Sequence, residues 1–318
     1  MHEGPEKISL KFETVLLTFF KERLMSVNLH QHAVIQYATS IQLLLQQKGS
    51  KLRDNVMSGS HIGKQASPVD QYAQVAMQSV SGHFNAMGRV DAALDRRWVF
   101  PSDFDLPQLI DSYDKLRLLN DPSSSYVQNA VYAAGRQMDS LIVDSFFGTA
   151  KTGESGSTNT TFPAGNQVAV NEGSTGNTGL TVAKLRKAKR LLMANEVDIE
   201  NDPIYCVVTA LQHDNLLAEA QVISTDFNDK PVLVDGKIGR FLGINFIHCE
   251  LLGVDGSSYR RIPVFAKSGM YLGLWNDITT DISQRKDLQG LPWQAYVYMT
   301  AGATRLEEDK VMEIKCVE

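Results

Sequence analysis

The sequence predicts an α+β fold, and three observations carry that prediction. Two segments in the middle of the chain have helical spacing, seven short β-rich runs follow Asp202-Pro203, and a charge-poor stretch without clean periodicity precedes both. Strands then lie on both sides of a helical centre, instead of alternating with helices as they do in a doubly wound parallel sheet.

The 318 residues, 43% of them hydrophobic, are enough for about two domains with sizeable cores. Thirty-one basic against thirty-six acidic side chains leave a net charge of -5, which argues against a protein that holds nucleic acid through its overall field. Cys206, Cys249 and Cys316 are sparse and unpaired in sequence, so neither a disulfide framework nor a zinc site is expected. The first residues have no basic region followed by an apolar run. A soluble protein made inside the cell, with no signal peptide or membrane span, is the expectation.

Taken in order, Leu10 to Leu24 can place Phe12, Val15, Leu16, Phe19 and Phe20 on one side of a short helix. From Ser26 to Gln47 there is no Asp, Glu, Lys or Arg. A surface that meets another protein loses charge because a desolvated unpaired ion is costly, so this stretch is expected against a partner subunit or inside its own domain. Ser50 to about Val99 is expected to be extended, as a long hairpin or loop excursion that needs a surface to lie on, because a lone two-stranded ribbon is marginal in water. Charges return at Arg89, Asp91, Asp95, Arg96 and Arg97, followed by Asp103, Asp105, Asp111 and Asp114.

Asp121-Pro122 starts the clearest helix, with a capping residue before a proline that loses nothing at the first helical position. Tyr126, Ala130, Ala133, Ala134, Met138, Leu141 and Ile142 recur every three or four residues, and Gly148 supplies a stop. Residues 151–179, rich in Gly, Ser, Thr and Asn, are expected as an exposed loop. A second helix is expected from Thr181 to about Asn195. Its residues Lys184, Arg186, Lys187, Lys189 and Arg190 lie opposite Val182, Leu185, Ala188 and Leu192. That basic face is either solvated or turned toward nucleic acid or an acidic neighbour, since phosphate contacts need position rather than sequence readout. Strands are expected at Ile204–Val208, Val232–Val234, Phe241–Ile247, Ile262–Ala266, Met270–Leu274, Ala295–Met299 and Val311–Val317, with a helix from Leu211 to Ala220.

No motif supplies a catalytic constellation. Gly59 to Gln65 has too few residues between its glycines for a phosphate-binding loop, and Gln65 stands where a magnesium-binding hydroxyl is needed. Ser283-Gln284-Arg285-Lys286 has the Ser-x-x-Lys spacing of some acyl-enzymes without their companion motifs. His30, His32, His213 and His248 have no Cys or carboxylate cluster to complete a metal site. The Asp103 to Asp114 carboxylates lack the glycine and closing Glu of a calcium loop. No cofactor and no metal are expected, and no enzyme activity.

The order of a charge-poor arm, a long extended excursion, one long helix, a second helix and a mixed terminal part resembles the major capsid proteins of tailed double-stranded DNA bacteriophages, which share the Hong-Kong-97 fold. The phrases that carry the resemblance are Ala33-Val34-Ile35-Gln36-Tyr37, Arg97-Trp98-Val99-Phe100-Pro101, Asp111-Ser112-Tyr113-Asp114, Ala134-Gly135-Arg136 with Asp139, and Gly302-Ala303-Thr304-Arg305-Leu306-Glu307-Glu308 with Lys310-Val311-Met312-Glu313-Ile314. The resemblance implies an N-terminal arm over 1–49 and an extended E-loop over 50–99. It also implies a peripheral domain over 100–202 with a spine helix over 122–148, an axial domain over 203–300, and a return strand of the peripheral domain over 301–318.

It further implies self-assembly as hexamers and pentamers into an icosahedral head around packaged DNA, with the shell built in the host bacterial cytoplasm. A portal and a separate scaffolding protein are implied partners, with a decoration protein as a further one. Arg89, Arg96 and Arg97 are expected to pair with Asp103, Asp105 or Asp111 between subunits, so that Arg97→Glu would weaken assembly in a folded monomer. The Lys184 to Arg190 face is expected toward DNA. Lys51 and Lys64 lie where some relatives form isopeptide crosslinks, but no activating carboxylate is identifiable and no crosslink is expected. An encapsulin-type compartment shell, and a soluble α/β enzyme of unassigned chemistry, are the competing readings.

Overall fold

The computed structural model describes residues 46–79, 82, 88–110, 123–219 and 238–318. The arm up to residue 45 with His30 and His32, the expected strand Val232–Val234, Asp111, Asp114 and the Asp121-Pro122 start all lie outside the described residues.

Described strands and helices follow in the order β1 (Met57–Ser60), β2 (Ala66–Tyr72), β3 (Leu94–Val99), β4 (Ser102–Ile110), α1 (Ser123–Phe147), β5 (Ala150–Thr152), β6 (Thr158–Thr160) and β7 (Gln167–Val168). They continue with α2 (Val182–Ala194), β8 (Ile204–Val208), α3 (Ala210–Leu217), β9 (Arg240–Phe241), β10 (Ile244–His248), β11 (Arg260–Ala266), β12 (Met270–Gln284), β13 (Trp293–Arg305) and β14 (Val311–Cys316).

Three sheets organise these strands. One has the order β1-β12-β13-β4, a second β7-β14-β11-β8-β10-β9, and a third β2-β3-β5-β6. The long helix α1 packs on the first sheet, chiefly on β13, and α2 packs against β14. A continuous core runs from Ile142 and Phe146 of α1 through Leu185, Ala188 and Leu192 of α2 to Val264, Phe265, Met312 and Ile314 of the six-stranded sheet. The α2 stripe points inward as its 3.6-residue period requires, and Thr181 caps the helix by accepting from the Lys184 backbone N–H at 3.4 Å.

Within the expected excursion, β2 and β3 pair antiparallel with Val69 opposite Arg97 and Tyr72 opposite Leu94, while β1 runs parallel to β12. The run expected as one strand over Phe241–Ile247 is instead a tight hairpin. Leu242 (φ 53°) and Gly243 (φ 80°) form its two-residue turn, and a positive φ at both centres is what the primed hairpin turns require. Gly suits that geometry, but Leu carries a Cβ penalty there, so composition gave no signal for the turn.

β12 and β13 extend far beyond the expected Met270–Leu274 and Ala295–Met299. β12 passes irregularities between Leu274 and Thr279 and continues to Gln284 through a mostly polar, largely exposed stretch whose apolar residues, Ile278 and Ile282, are too few to show an alternation. The 151–179 segment, expected as an exposed loop, contributes β5, β6 and β7 and buries Thr152, Asn166 and Val168. Strands of two or three residues are too short for a period to register.

Around residue 300 the chain passes from one sheet to another. β12 and β13 join β1 and β4, whereas β14 enters the sheet of β8, β10 and β11, with Ile314 opposite Ile262.

Candidate assembly surfaces

The described chain begins beside α1, and a single carboxylate holds it there. Asp139, wholly buried on α1, accepts from Ser50 Oγ at 2.5 Å, from the Lys51 backbone N–H at 2.9 Å, from the Leu52 N–H at 3.1 Å and from Gln47 Nε2 at 2.5 Å. Arg136, almost one turn earlier, donates from Nη1 to Gln46 Oε1 at 2.8 Å and to the Gln47 carbonyl at 3.2 Å. Gly135 lets the two segments approach: a Cβ there would lie 2.5 Å from the Gly49 carbonyl carbon. A mid-helix Gly costs about 1 kcal/mol relative to Ala, and this close approach is its structural reason. Further along, Arg53 forms a two-pronged pair with Asp277 at 2.6 and 3.0 Å, and Lys51 Nζ donates to the His248 carbonyl at 2.9 Å.

A second junction fixes the root of the β2–β3 hairpin. Arg97 is only 5% exposed and pairs closely with Glu308, whose other oxygen lies 3.4 Å from Arg305 Nε. Arg305, wholly enclosed, donates to the Phe146 carbonyl at 2.7 Å and the Gly148 carbonyl at 3.0 Å, closing the last turn of α1. Gln71 Nε2 donates to the Leu306 carbonyl at 2.7 Å, and Trp98 Nε1 to the Gly153 carbonyl at 2.7 Å. Near the start of the extension, His61 Nε2 lies 2.7 Å from Tyr271 Oη, and its ring also touches Trp275. Burial pushes the His61 imidazole down and the Tyr271 phenol up from their ordinary pKa values.

Beyond these roots the described residues of the extension are largely exposed. Ile62 is 97% exposed and Met77 fully so, while Tyr72, Val75, Val90 and Leu94 are also exposed. Single exposed apolar side chains are unremarkable, but six along one ribbon make a surface that gains from being covered.

The expected charged residues divide unevenly. Within its own chain Arg97 pairs with Glu308. Arg89 pairs with Asp91 at 2.7 Å and Arg96 with Asp70 at 2.8 Å across the β2–β3 ribbon, both in exposed positions. Asp103 accepts from Thr300 Oγ1 at 2.7 Å and Asp105 from Tyr296 Oη at 3.2 Å. Asp111 lies outside the described residues.

Lys184 corrects the expected division of the α2 faces. It was expected on the outer basic face, but it is wholly buried and donates from Nζ to the Thr178, Gly179 and Lys315 carbonyls at 2.7, 2.9 and 3.0 Å. Three carbonyls replace its water, and burial still draws its pKa below the ordinary lysine value. Position 184 lies beside Leu185 and Ala188 on the helix, so its place on the inner stripe was readable, although its charge pointed outward. Arg186 and Arg190 are exposed, Lys187 faces Glu172 at 3.6 Å, and Lys189 Nζ donates to the Leu242 carbonyl at 2.8 Å.

Asp139 and Glu308 stand in the sequence phrases that carry the family resemblance, with no role of their own expected there. The available signal was position, since Asp139 sits between Met138 and Ile142 on the apolar stripe of α1. Among the described residues no group of His, Cys, Asp or Glu could hold a metal ion, and no helix is long and apolar enough to cross a membrane. Gly59 and Ser60 belong to β1, which leads to another strand instead of a helix and so is not a phosphate-binding loop.

Comparison with known proteins agrees with this architecture. The capsid of cyanophage P-SCSP1u is similar in structure with a TM-score of 0.69 at 16% identity, covering 93% of this chain and 98% of that one. The cyanophage Pam1 capsid gives 0.66 at 10% identity over 89% and 97%, and the capsid of Ralstonia phage GP4 gives 0.65 at 13% identity over 89% and 95%. At such identities the likeness is one of fold, the Hong-Kong-97 capsid fold. The comparison with curated protein sequences gives no match. A family model described as phage capsid protein matches residues 29–318. This chain therefore belongs to the phage capsid protein family, and it is a structural protein of the phage head rather than an enzyme.

Proposed function

We propose that many copies of this chain assemble as hexamers and pentamers into a closed icosahedral shell that encloses the double-stranded DNA of a tailed bacteriophage. The observation that carries the reading is the β2–β3 extension. It is held at its root by the Arg97–Glu308–Arg305 group, and it carries Ile62, Tyr72, Met77 and Leu94 into solvent. Such a ribbon cannot bury its own apolar side chains, so a neighbouring subunit is the surface that covers them. Contacts of this kind are individually modest, and a closed lattice adds them.

In this reading residues 1–49 are the arm, 50–99 the extended loop and α1 the spine helix of the peripheral part. Residues 203–300 form the axial part, toward the middle of each capsomer, and 301–318 return to the peripheral part. Exposed Arg89, Arg96, Asp103 and Asp105, together with Asp111, are the charges that exchange partners between subunits. Arg186, Lys187, Lys189 and Arg190 face the packaged DNA without reading its sequence. Assembly takes place in the host bacterial cytoplasm on a separate scaffolding protein and a portal, with a decoration protein as a further partner. It needs no cofactor and no membrane.

The test is electron microscopy of particles purified after expressing this chain with its natural neighbouring genes, with sedimentation to measure the assembled fraction. Closed shells containing DNA are the expected result. Shells holding a cargo protein in place of DNA would favour a compartment shell, and compact monomers alone in the presence of a verified scaffold would overturn the reading.

A further inference from the structure

Gly59, Gly273 and Gly302 stand in register across β1, β12 and β13, so a strip without side chains crosses one face of the first sheet. Both roots of the extension lie over this strip. A Cβ on Gly273 would come within 3.0 Å of His61 Cδ2 and 3.3 Å of Val99 Cγ1, and one on Gly302 would collide with the Phe100 carbonyl oxygen. On the outgoing root the half-buried His61 is followed by the almost wholly exposed Ile62. The His61 backbone N–H donates to the Leu274 carbonyl at 2.9 Å, and its ring takes the space that Gly273 leaves. There it meets the rings of Tyr271 and Trp275 at centroid distances of 5.6 and 5.3 Å, with Nε2 2.7 Å from Tyr271 Oη.

We propose that His61 is an acid-released latch. Neutral, it plugs the seat over Gly273 and fixes the direction in which the extension leaves the sheet. Protonated, it withdraws and lets the outgoing root swing about the Arg97–Glu308 tie on the returning strand.

The lining of the seat supplies the first argument, because it offers an imidazolium no counter-charge. β1 has no charged residue. Arg97 of β3 and Arg305 of β13 share Glu308, Asp277 of β12 holds Arg53, and Asp70 of β2 pairs with Arg96 of β3. Asp95 of β3 accepts from the Gly153 N–H, Asp281 lies opposite Tyr296 on the outer half of β12, and Lys64 is exposed beyond His61. Among the described residues the Tyr271 phenol is the titratable group that touches the ring, and burial pushes it up from its ordinary pKa, so it supplies no anion near neutral pH. A charge taken from water without a partner is costly, and tilted aromatic rings return only part of that cost.

Proton linkage supplies the second argument. Burial holds the seated imidazole below the ordinary histidine value of 6.5. Between the two values the released form binds more protons, so the seat is complete above about pH 6.5 and is given up as the pH falls through the seated value. Packing carries the release across the strip. Val99 borders the same space over Gly273, so withdrawal of the ring also loosens the returning strand.

The inference does not depend on the shell reading, and its test uses unassembled full-length protein. Hydrogen exchange read by mass spectrometry compares peptides covering residues 57–62 with a control over 262–266 in the buried β11. After correction for the chemical rate, the 57–62 amides are expected to exchange about tenfold or more faster at about pH 5 than at about pH 7.5, with the control unchanged. His61→Phe keeps a ring that cannot be protonated and should abolish the acceleration, and His61→Gln does the same service should the larger ring disturb the fold. Gly273→Ala displaces the imidazole and should give fast exchange at both pH values. An NMR titration of the imidazole, assigned by its loss in His61→Phe, should give a midpoint below 6.5. Equal exchange at both pH values in the parent protein, acceleration that persists in the His61 variants or extends to the control, or a midpoint at or above 6.5 would overturn the latch.

Discussion

The Asp139 carboxylate accepts from the Leu52 backbone N–H at 3.1 Å across 87 positions of sequence, and this bond ties the incoming chain to the middle of the long helix. Together with the bonds from Ser50, Lys51 and Gln47 it satisfies a buried carboxylate, with no cation among the described residues bonded to it. Backbone and hydroxyl donors can do this because hydrogen bonds to a charged acceptor contribute about 1.5–3 kcal/mol each. Asp139→Asn keeps the shape but turns one acceptor oxygen into a donor that faces other donors. It is expected to destabilise the unassembled protein by about 3 kcal/mol. Urea unfolding measures this, and an unchanged midpoint would show that the clamp contributes nothing to stability.

The Arg97–Glu308 pair gives a second prediction, and it replaces the expectation that charge reversal at Arg97 acts on assembly alone. Arg97→Glu would place two carboxylates together at a nearly enclosed site, beside Arg305 as the sole remaining cation of the group. Breaking a buried pair costs about 3–5 kcal/mol, so this variant should lose folded monomer before assembly is tested. Arg97→Met leaves Glu308 paired with Arg305 and keeps the volume, so it should cost less by about 2 kcal/mol or more. Comparing the two by thermal unfolding checks the assignment, and equal losses would contradict it.

Exposed apolar residues of the extension give the opposite pattern. Ile62→Asp and Met77→Asp alter side chains that touch almost nothing in the monomer, so its stability should stay within about 0.5 kcal/mol. If a neighbour covers them, each new carboxylate must be desolvated there and the yield of closed shells should fall steeply. Sedimentation of variant and parent side by side measures the assembled fraction. Undiminished yield would remove this ribbon from the interface.

Lys184 separates from the rest of the basic run. Lys184→Ala leaves the Thr178, Gly179 and Lys315 carbonyls without their donor in the core and should destabilise by about 2–4 kcal/mol. Arg186→Ala with Arg190→Ala should leave the unfolding midpoint unchanged, and should make DNA retention in shells more sensitive to salt if this face meets phosphate. The reverse order of effects would return Lys184 to the surface.

These contrasts show how much the sequence made legible. The long helix, the α2 stripe and the strands Ile204–Val208 and Val311–Cys316 were visible because apolar side chains repeat with the period of each element over several turns or alternations. The Leu242-Gly243 turn was hidden because Leu is disfavoured at positive φ, and the outer half of β12 because Ile278 and Ile282 are its only apolar residues, too few for an alternation to register. The intrachain partners of Arg97 and Lys184 were hidden for a common reason. A charged residue reads as a surface residue unless its partners are known, and these partners are a carboxylate 211 positions away and three backbone carbonyls. No local pattern records either.

Buried thiols set the alkaline limit of the fold. Burial raises the Cys316 pKa to about 12 and that of Cys206 well above its ordinary value of 9.0. Between these limits the unfolded chain releases thiol protons that the folded chain retains. The native state then binds more protons, and stability falls as pH rises. The contribution is fully present below about pH 9 and is lost toward pH 12, at up to about 1.4 kcal/mol per pH unit for each thiol. Lys184 works in the opposite sense just below its unfolded value of 10.5, because its lowered pKa lets the folded state release a proton first. Burial raises the Cys249 thiol as well, and three thiols against one amine leave a net alkaline loss. Cys316→Ala should lower stability at pH 7 through its lost packing, yet the gap to the parent protein should narrow steadily between pH 9 and pH 10.5. Urea midpoints across that range test it, and parallel pH profiles for the two proteins would show that Cys316 does not titrate with folding.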